Sequence, residues 1–129
     1  MTEQRQTIFG EGGNCFSTCV AMLLDMDTND VPNFCAEENN WWGKFQIWLV
    51  ERHLFSIEVN QHTSMAMVPV GTLAILSGPG KRGLLHSVVG EFEGATTDNK
   101  SNWLFKCDPH PSDNYIESVE KVCFIVRQI

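Results

Sequence analysis

A chain of 129 residues with 43% apolar content is long enough for one domain with its own core, and it holds no run of about 18 uncharged apolar residues that could cross a bilayer. The formal net charge of −7 and an isoelectric point near 4.9 exclude the basic face that general nucleic-acid binding requires, and the acidity reads as serving solubility. Five scattered cysteines argue against a disulfide framework, and the polar opening MTEQRQTIFG lacks the apolar centre of a secretory signal, so a single domain over 1–129 in a reducing cytoplasm is expected.

The first element is announced by GEGGNCFSTC, residues 10–19. Its glycines suit a sharp turn and Asn14 suits a helix N-cap. Phe16, Val20, Leu23 and Leu24 then recur at helical spacing, which predicts a helix over Cys15 to Leu24. DMDTNDVPNF ends that helix, and Pro32 is placed to open a short second turn. NNWWGKFQIWLVERH has the pattern of an amphipathic helix, with Trp41, Phe45, Trp48 and Leu49 along its core side. Thereafter FSIEV, TLAIL, LHSVVGEF, WLFKC and VCFIVRQ are short, β-branched or aromatic, and separated by turn residues, which predicts about five strands. Helices followed by a run of strands define an α+β domain with a mainly antiparallel sheet, and the helix beginning at Cys15 is expected to pack across one face.

The glycine-led helix start has a chemical meaning. At the first turn of a helix, unpaired backbone N–H groups and the helix dipole favour negative charge, so a cysteine there is placed to act as a nucleophile. The same N–H groups can hold an oxyanion on a carbonyl under attack. A nucleophilic cysteine needs a base, and the base needs an orienting partner. Of the four histidines, His53 and His62 are expected to face solvent. His86 opens a strand directly after SGPGKRG, and His110 lies in CDPHPSDN. The segment EGATTDNKS reads as a hairpin turn between LLHSVVGEF and NWLFKCD. A hairpin centred near residue 97 would set His86 opposite Asp108, with Cβ atoms about 4.5–5.5 Å apart. A slip of one residue would move them to opposite faces. The plainer reading makes His86 a strand cap and Asp108 an ordinary turn residue before Pro109.

Cys19, four residues after Cys15 on the same helix face, reads as a buried small hydrophobe, and Cys35, Cys107 and Cys123 read as core. The cysteines and histidines lack the paired spacings of zinc sites, so no metal is expected. GPGKRG lacks the order of a phosphate-binding loop. Lys81 and Arg82 are read as an exposed turn that flanks His86, where they can attract an anionic group.

With these residues in place, GGNCFSTCVAMLL, VPNF, HSVVG and CDPHPS resemble the papain-like superfamily of cysteine hydrolases. The resemblance is stronger to small bacterial and phage-encoded members with a Gly-Asn/Asp-Cys helix start and a distal Asp-Pro-His-Pro-Ser segment. It spans about Gln6 to Ser112, in the superfamily order of Cys, His, then Asp or Asn. It implies a papain-like fold with Cys15 as nucleophile, His86 as general base and acid, and Asp108 as orienting carboxylate. It also implies an upstream glutamine that donates to the oxyanion, here Gln6, with Gln4 as the weaker candidate. Gln6 precedes Cys15 by nine positions, a longer gap than the usual motif, and Asn14 is an alternative donor. The implied activity is hydrolysis of an amide, isopeptide or thioester carbonyl without a cofactor. The substrate would be a peptide or other amide-containing molecule, a host protein among the candidates. From another class comes the alternative of a papain-fold binding or inhibitor module, phage-encoded and acting on a host protein, with Trp41 or Trp42 exposed for docking.

Overall fold

The computed structural model describes residues 1–36, 39–95 and 101–129. In chain order it contains α1 (Cys15–Leu24), two 3-10 turns (Thr28–Asp30 and Phe34–Ala36), α2 (Trp41–Val50), β1 (Leu54–Asn60), β2 (Leu73–Pro79), β3 (Leu85–Ala95), β4 (Ser101–Cys107) and β5 (Lys121–Arg127). The architecture is α+β, with both helices ahead of one antiparallel sheet in the order β1-β5-β2-β3-β4. The predicted helix over Cys15 to Leu24 forms with those bounds, and all five predicted strands form with small changes at their ends. Residues 96–100, the middle of the predicted hairpin turn, lie outside the described residues.

Both faces of the sheet centre are covered, which explains why β2 and β3 read as apolar runs. On the helix face, Cys19 and Val20 of α1 and Phe45 and Leu49 of α2 pack with Ile75, Val89, Cys107 and Cys123. On the other face Ala74, Leu76, Val88, Phe92 and Val122 are covered by Met65 and Ile116 from connecting loops. Phe16 joins the helices, meeting the rings of Trp41 and Phe45 edge-on at 5.2 and 5.0 Å between centroids. The predicted aromatic stripe of α2 is therefore core at Phe45, Trp48 and Leu49. Two hydroxyls buried in α1 are satisfied rather than orphaned. Ser17 Oγ donates to the Pro32 carbonyl at 2.6 Å, and Thr18 Oγ1 donates to the Asn14 carbonyl at 2.8 Å.

The start of α1 departs from expectation in one respect. Asn14 occupies the N-cap position, yet its side chain makes no capping hydrogen bond to the helix. Instead Asn14 Oδ1 accepts from the N–H groups of Thr7 and Ile8 at 3.0 and 2.9 Å, and Nδ2 donates to Thr7 Oγ1 at 3.0 Å. The side chain closes the approach loop on itself and leaves the first turn of α1 without a side-chain cap. Gly13 makes this loop possible, because a Cβ there would lie 2.8 Å from the Ile8 carbonyl oxygen and 2.9 Å from that of Gly10. Both obstacles are backbone and neither can swing aside. Gly13→Ala is expected to cost about 1–3 kcal/mol of stability, measured by urea titration. Wild-type stability in that variant would show that the loop has room to relax.

Candidate active site

The chain before α1 is a strap that ties two distant segments together. Gln4 Oε1 accepts from the N–H and the hydroxyl of Thr28 at 2.9 and 2.7 Å, beyond the far end of α1. Arg5 Nη1 donates to the carbonyls of Asp108 and His110 at 2.7 and 3.1 Å and to Asp113 Oδ1 at 2.7 Å. The Gln6 N–H donates to the Pro109 carbonyl at 2.9 Å. The strap thus fixes the loop after β4 beside the N-terminus of α1. Gln4 is committed to Thr28 and takes no place in the site.

His86 and Asp108 meet as the sequence predicts, but by a different route. His86 Nε2 lies 2.6 Å from Asp108 Oδ1, both side chains being buried, the aspartate completely. A carboxylate can only accept, so Nε2 carries the proton and Nδ1 remains the ring nitrogen available to Cys15. The two residues do not oppose each other across a hairpin centred at residue 97. Irregularities between Val89 and Gly90 and between Phe92 and Gly94 shift the register so that Val89 pairs with Cys107. One step further would set Asp108 opposite Val88. The chain leaves the sheet after Cys107, and the Asp108 side chain reaches back along β3 to the imidazole.

The Asp108 carboxylate accepts three hydrogen bonds. Besides His86, Oδ1 accepts the His110 N–H at 2.9 Å and Oδ2 accepts the Tyr115 N–H at 2.8 Å. Burial alone would raise its pKa, but these three donors outweigh burial and hold the carboxyl below its ordinary value. For His86, burial alone would lower the pKa. The hydrogen bond to Asp108 and the interaction with the Cys15 side chain outweigh burial and raise it to about 9. The ring therefore carries a second proton at neutral pH. These shifts have opposite consequences for stability. The His86 contribution is whole below the ordinary histidine value of about 6.5 and is lost as pH rises through about 9. The Asp108 contribution is present above the ordinary carboxyl range and is lost as pH falls through its lowered value. The urea midpoint is expected to decline steadily from pH 7 to pH 9.5 in the wild type and to do so less in His86→Ala. Parallel curves for the two proteins would detach that decline from His86.

Cys15 is half-buried at the meeting of two recesses. A small cleft of about 30 Å³ is lined by Gln6, Cys15, His86, His110 and Arg82 among others. A larger recess of about 680 Å³ runs from Cys15 past Phe16, Cys35, Trp41 and Trp42. The structure therefore brings Cys15, His86, Asp108 and Gln6 into one neighbourhood. Gln6 is buried, its Nε2 donates to the Ile8 carbonyl at 2.9 Å, and its Oε1 has no partner among the described residues. One hydrogen of Nε2 remains after the Ile8 bond. Asn14, the alternative donor, is tied to Thr7 and Ile8 and lines neither recess.

The other cysteines separate into two groups. Cys19, Cys107 and Cys123 are buried, and burial pushes the Cys19 thiol well up and that of Cys123 to about 12. Cys35 corrects the expectation of a core residue. It is half-buried in the wall of the large recess, and burial, then the proximity of Cys15, raise it to about 11. Trp41 and Trp42 are likewise half-buried in that wall, so neither stands out as a free docking residue. His53 and His62 are exposed, as expected.

Sequence reasoning missed Arg5 and left His110 without a role. His110 Nδ1 accepts from the Ser112 N–H at 3.1 Å, its ring lies 6.3 Å from that of His86, and Phe9 packs edge-on at 5.3 Å. Burial, then the nearby charge of Arg82, lower its pKa. The sequence signal for His110 was its place two residues after Asp108. Arg5 carried no signal, because its partners at Asp108, His110 and Asp113 lie more than 100 positions away. Among the described residues no group of three or more His, Cys, Asp or Glu side chains is placed to hold a metal ion, and no helix is long and apolar enough to cross a membrane. No protein-family model matches this chain, and comparison with curated proteins and with solved structures likewise finds no match.

Proposed function

We propose that this chain is a cysteine-dependent hydrolase of papain-like fold, cleaving an amide, isopeptide or thioester carbonyl with a Cys15–His86–Asp108 triad in the cytoplasm. The observation that carries the reading is the buried 2.6 Å bond between His86 and Asp108 in a cleft that Cys15 shares at the uncapped start of α1. The papain-like assignment rests on the chain order of the three residues and on a helix-borne cysteine set against an antiparallel sheet.

In this mechanism His86 Nδ1 already holds the proton, and the Cys15 thiolate beside it attacks the carbonyl carbon. The oxyanion is held by the Cys15 backbone N–H and the remaining Nε2 hydrogen of Gln6. Collapse of the tetrahedral intermediate breaks the bond to the leaving amine or thiol, which takes the proton from His86. A thioester to Cys15 remains. Water, deprotonated by His86, attacks that thioester, and the acid and free Cys15 are released. Asp108 holds the ring throughout with Nδ1 towards the sulfur.

The test is direct detection of the covalent intermediate. After brief incubation with p-nitrophenyl acetate and an acid quench, intact mass should show one added acetyl group, mapped to Cys15 by peptide digestion. His86→Ala should acylate far more slowly. An unmodified protein, or acetylation at scattered lysines alone, would remove the enzyme reading and leave a binding or inhibitor module.

A further inference from the structure

The two recesses that meet at Cys15 differ in character, and the mechanism assigns one half of a substrate to each. Gly10, Cys15, Leu84 and Leu85 line both, so a carbonyl at Cys15 Sγ has its two substituents directed into different spaces. The leaving group must receive its proton from His86. It therefore lies on the side of the small cleft, which His86 lines, and the acyl group falls into the large recess.

The large recess presents apolar surface. Phe16, Trp41, Trp42, Leu84 and Leu85 form its walls. The polar side chains there are largely turned to one another, since Lys121 Nζ pairs with Glu58 at 3.4 Å and the hydroxyls of Ser77 and Ser87 bond at 2.8 Å. A volume of about 680 Å³ lies in the usual range for a small-molecule site. With Glu58 paired to Lys121, Glu11 leaves this lining one net negative charge, which disfavours an anion in it. The small cleft has the opposite sign. Arg82 lines it with His110, donates only to Ser112 Oγ at 3.2 Å, and makes no ion pair among the described residues.

Resting on the hydrolase reading, we infer that the substrate joins an apolar acyl group to a leaving group bearing an anion, a carboxylate or a phosphate, next to the scissile bond. The acyl chain lies against Trp41 and Trp42, and the anion lies against Arg82.

Six thioesters test this: decanoyl and acetyl esters of 3-mercaptopropionate, of its neutral amide, and of 2-mercaptoethyl phosphate, with hydrolysis followed by loss of thioester absorbance. Decanoyl esters should exceed acetyl esters in kcat/KM by at least about tenfold, because each methylene counts in an apolar site. The better of the two anionic leaving groups should exceed the neutral amide by about threefold or more, a preference that shrinks as salt rises. Which anion wins separates a carboxylate from a phosphate. Trp42→Ala should collapse the chain-length ratio, and Arg82→Gln should bring the anionic-to-neutral ratio near one. Equal rates for acetyl and decanoyl esters, or a neutral leaving group at least as good as both anions, overturn the inference. If no thioester is hydrolysed, the hydrolase reading fails, and binding of decanoyl-mercaptopropionate to Cys15→Ala decides the substrate reading alone. Quenching of tryptophan fluorescence that weakens in Trp42→Ala and in Arg82→Gln supports it, and absence of binding overturns it.

Discussion

Cys15→Ser is expected to lower hydrolysis by about 10⁴-fold or more while moving the melting temperature by no more than a few degrees. The substitution nearly conserves volume, and Cys15 is half-exposed at the cleft, so the core loses little. A serine hydroxyl is a far weaker nucleophile than a thiol beside the same imidazole. Cys19→Ser should show the reverse. Cys19 is fully buried one turn further into α1, packed in the helix–sheet core. A hydroxyl there must find a backbone carbonyl or go unsatisfied, at a cost of about 1–3 kcal/mol, while activity persists in the folded fraction. Iodoacetamide makes the same distinction, labelling Cys15 in the native protein while Cys19, Cys107 and Cys123 react only after denaturation. If Cys19 is labelled first, or if Cys15→Ser unfolds the chain, the nucleophile is misassigned.

Asp108→Asn is the second large effect, and it follows from counting donors. The carboxylate accepts three hydrogen bonds, from His86 Nε2 and from the N–H groups of His110 and Tyr115. An amide placed with its nitrogen at the Oδ2 position opposes the Tyr115 N–H. Turned over, it opposes the His110 N–H and forces His86 into the tautomer with the proton on Nδ1, where it cannot take a proton from Cys15. Either orientation leaves a buried donor facing a donor, for about 1–3 kcal/mol, and the second also disables the base. Activity is expected to fall by about 10²–10⁴-fold. The pH profile carries the specific signature. Leaving-group protonation needs the doubly protonated ring, so kcat/KM of the wild type should fall as pH rises through about 9, the raised His86 value. Without the carboxylate, that limb should move to lower pH. An alkaline limb that stays near 9 in Asp108→Asn would show that the aspartate does not hold the His86 proton.

Much of the fold was legible because local pattern and final environment agree. The helical spacing after Cys15 and the apolar runs of β2 and β3 are buried as their pattern indicates, whereas Phe55 and Ile57 of β1 are exposed. Strand order was not legible. Nothing local in VCFIVRQ tells it to enter between β1 and β2, since its apolar alternation suits any position with a covered face. In the site, His86 and Asp108 were found by hairpin arithmetic whose register proved off by two residues, a shift that keeps both on one face. The pair survives because a side chain leaving the strand end reaches further than one fixed in the ladder. Asn14 shows the opposite case, in which a residue type favoured at helix caps is drawn to two N–H groups of the preceding loop. Arg5 and the strap rest on contacts across the whole chain, which no window of sequence contains.

The position of β5 also sets an order of events during synthesis. It is the last of the five strands to be made, yet it stands between β1 and β2. It pairs with β1 over seven residues but meets β2 only at Ile75, Leu76 and Ser77. Cys15, His86 and Asp108 belong to α1, β3 and the loop after β4, all on one side of that seam. The large recess spans it, drawing Trp41 and Trp42 from α2, Glu58 from β1, and Lys121 and Cys123 from β5. On a growing chain, the nucleophile and its base can therefore meet before the cavity beside them has its far wall. Closing that wall waits on a strand whose hold on β2 is three residues wide.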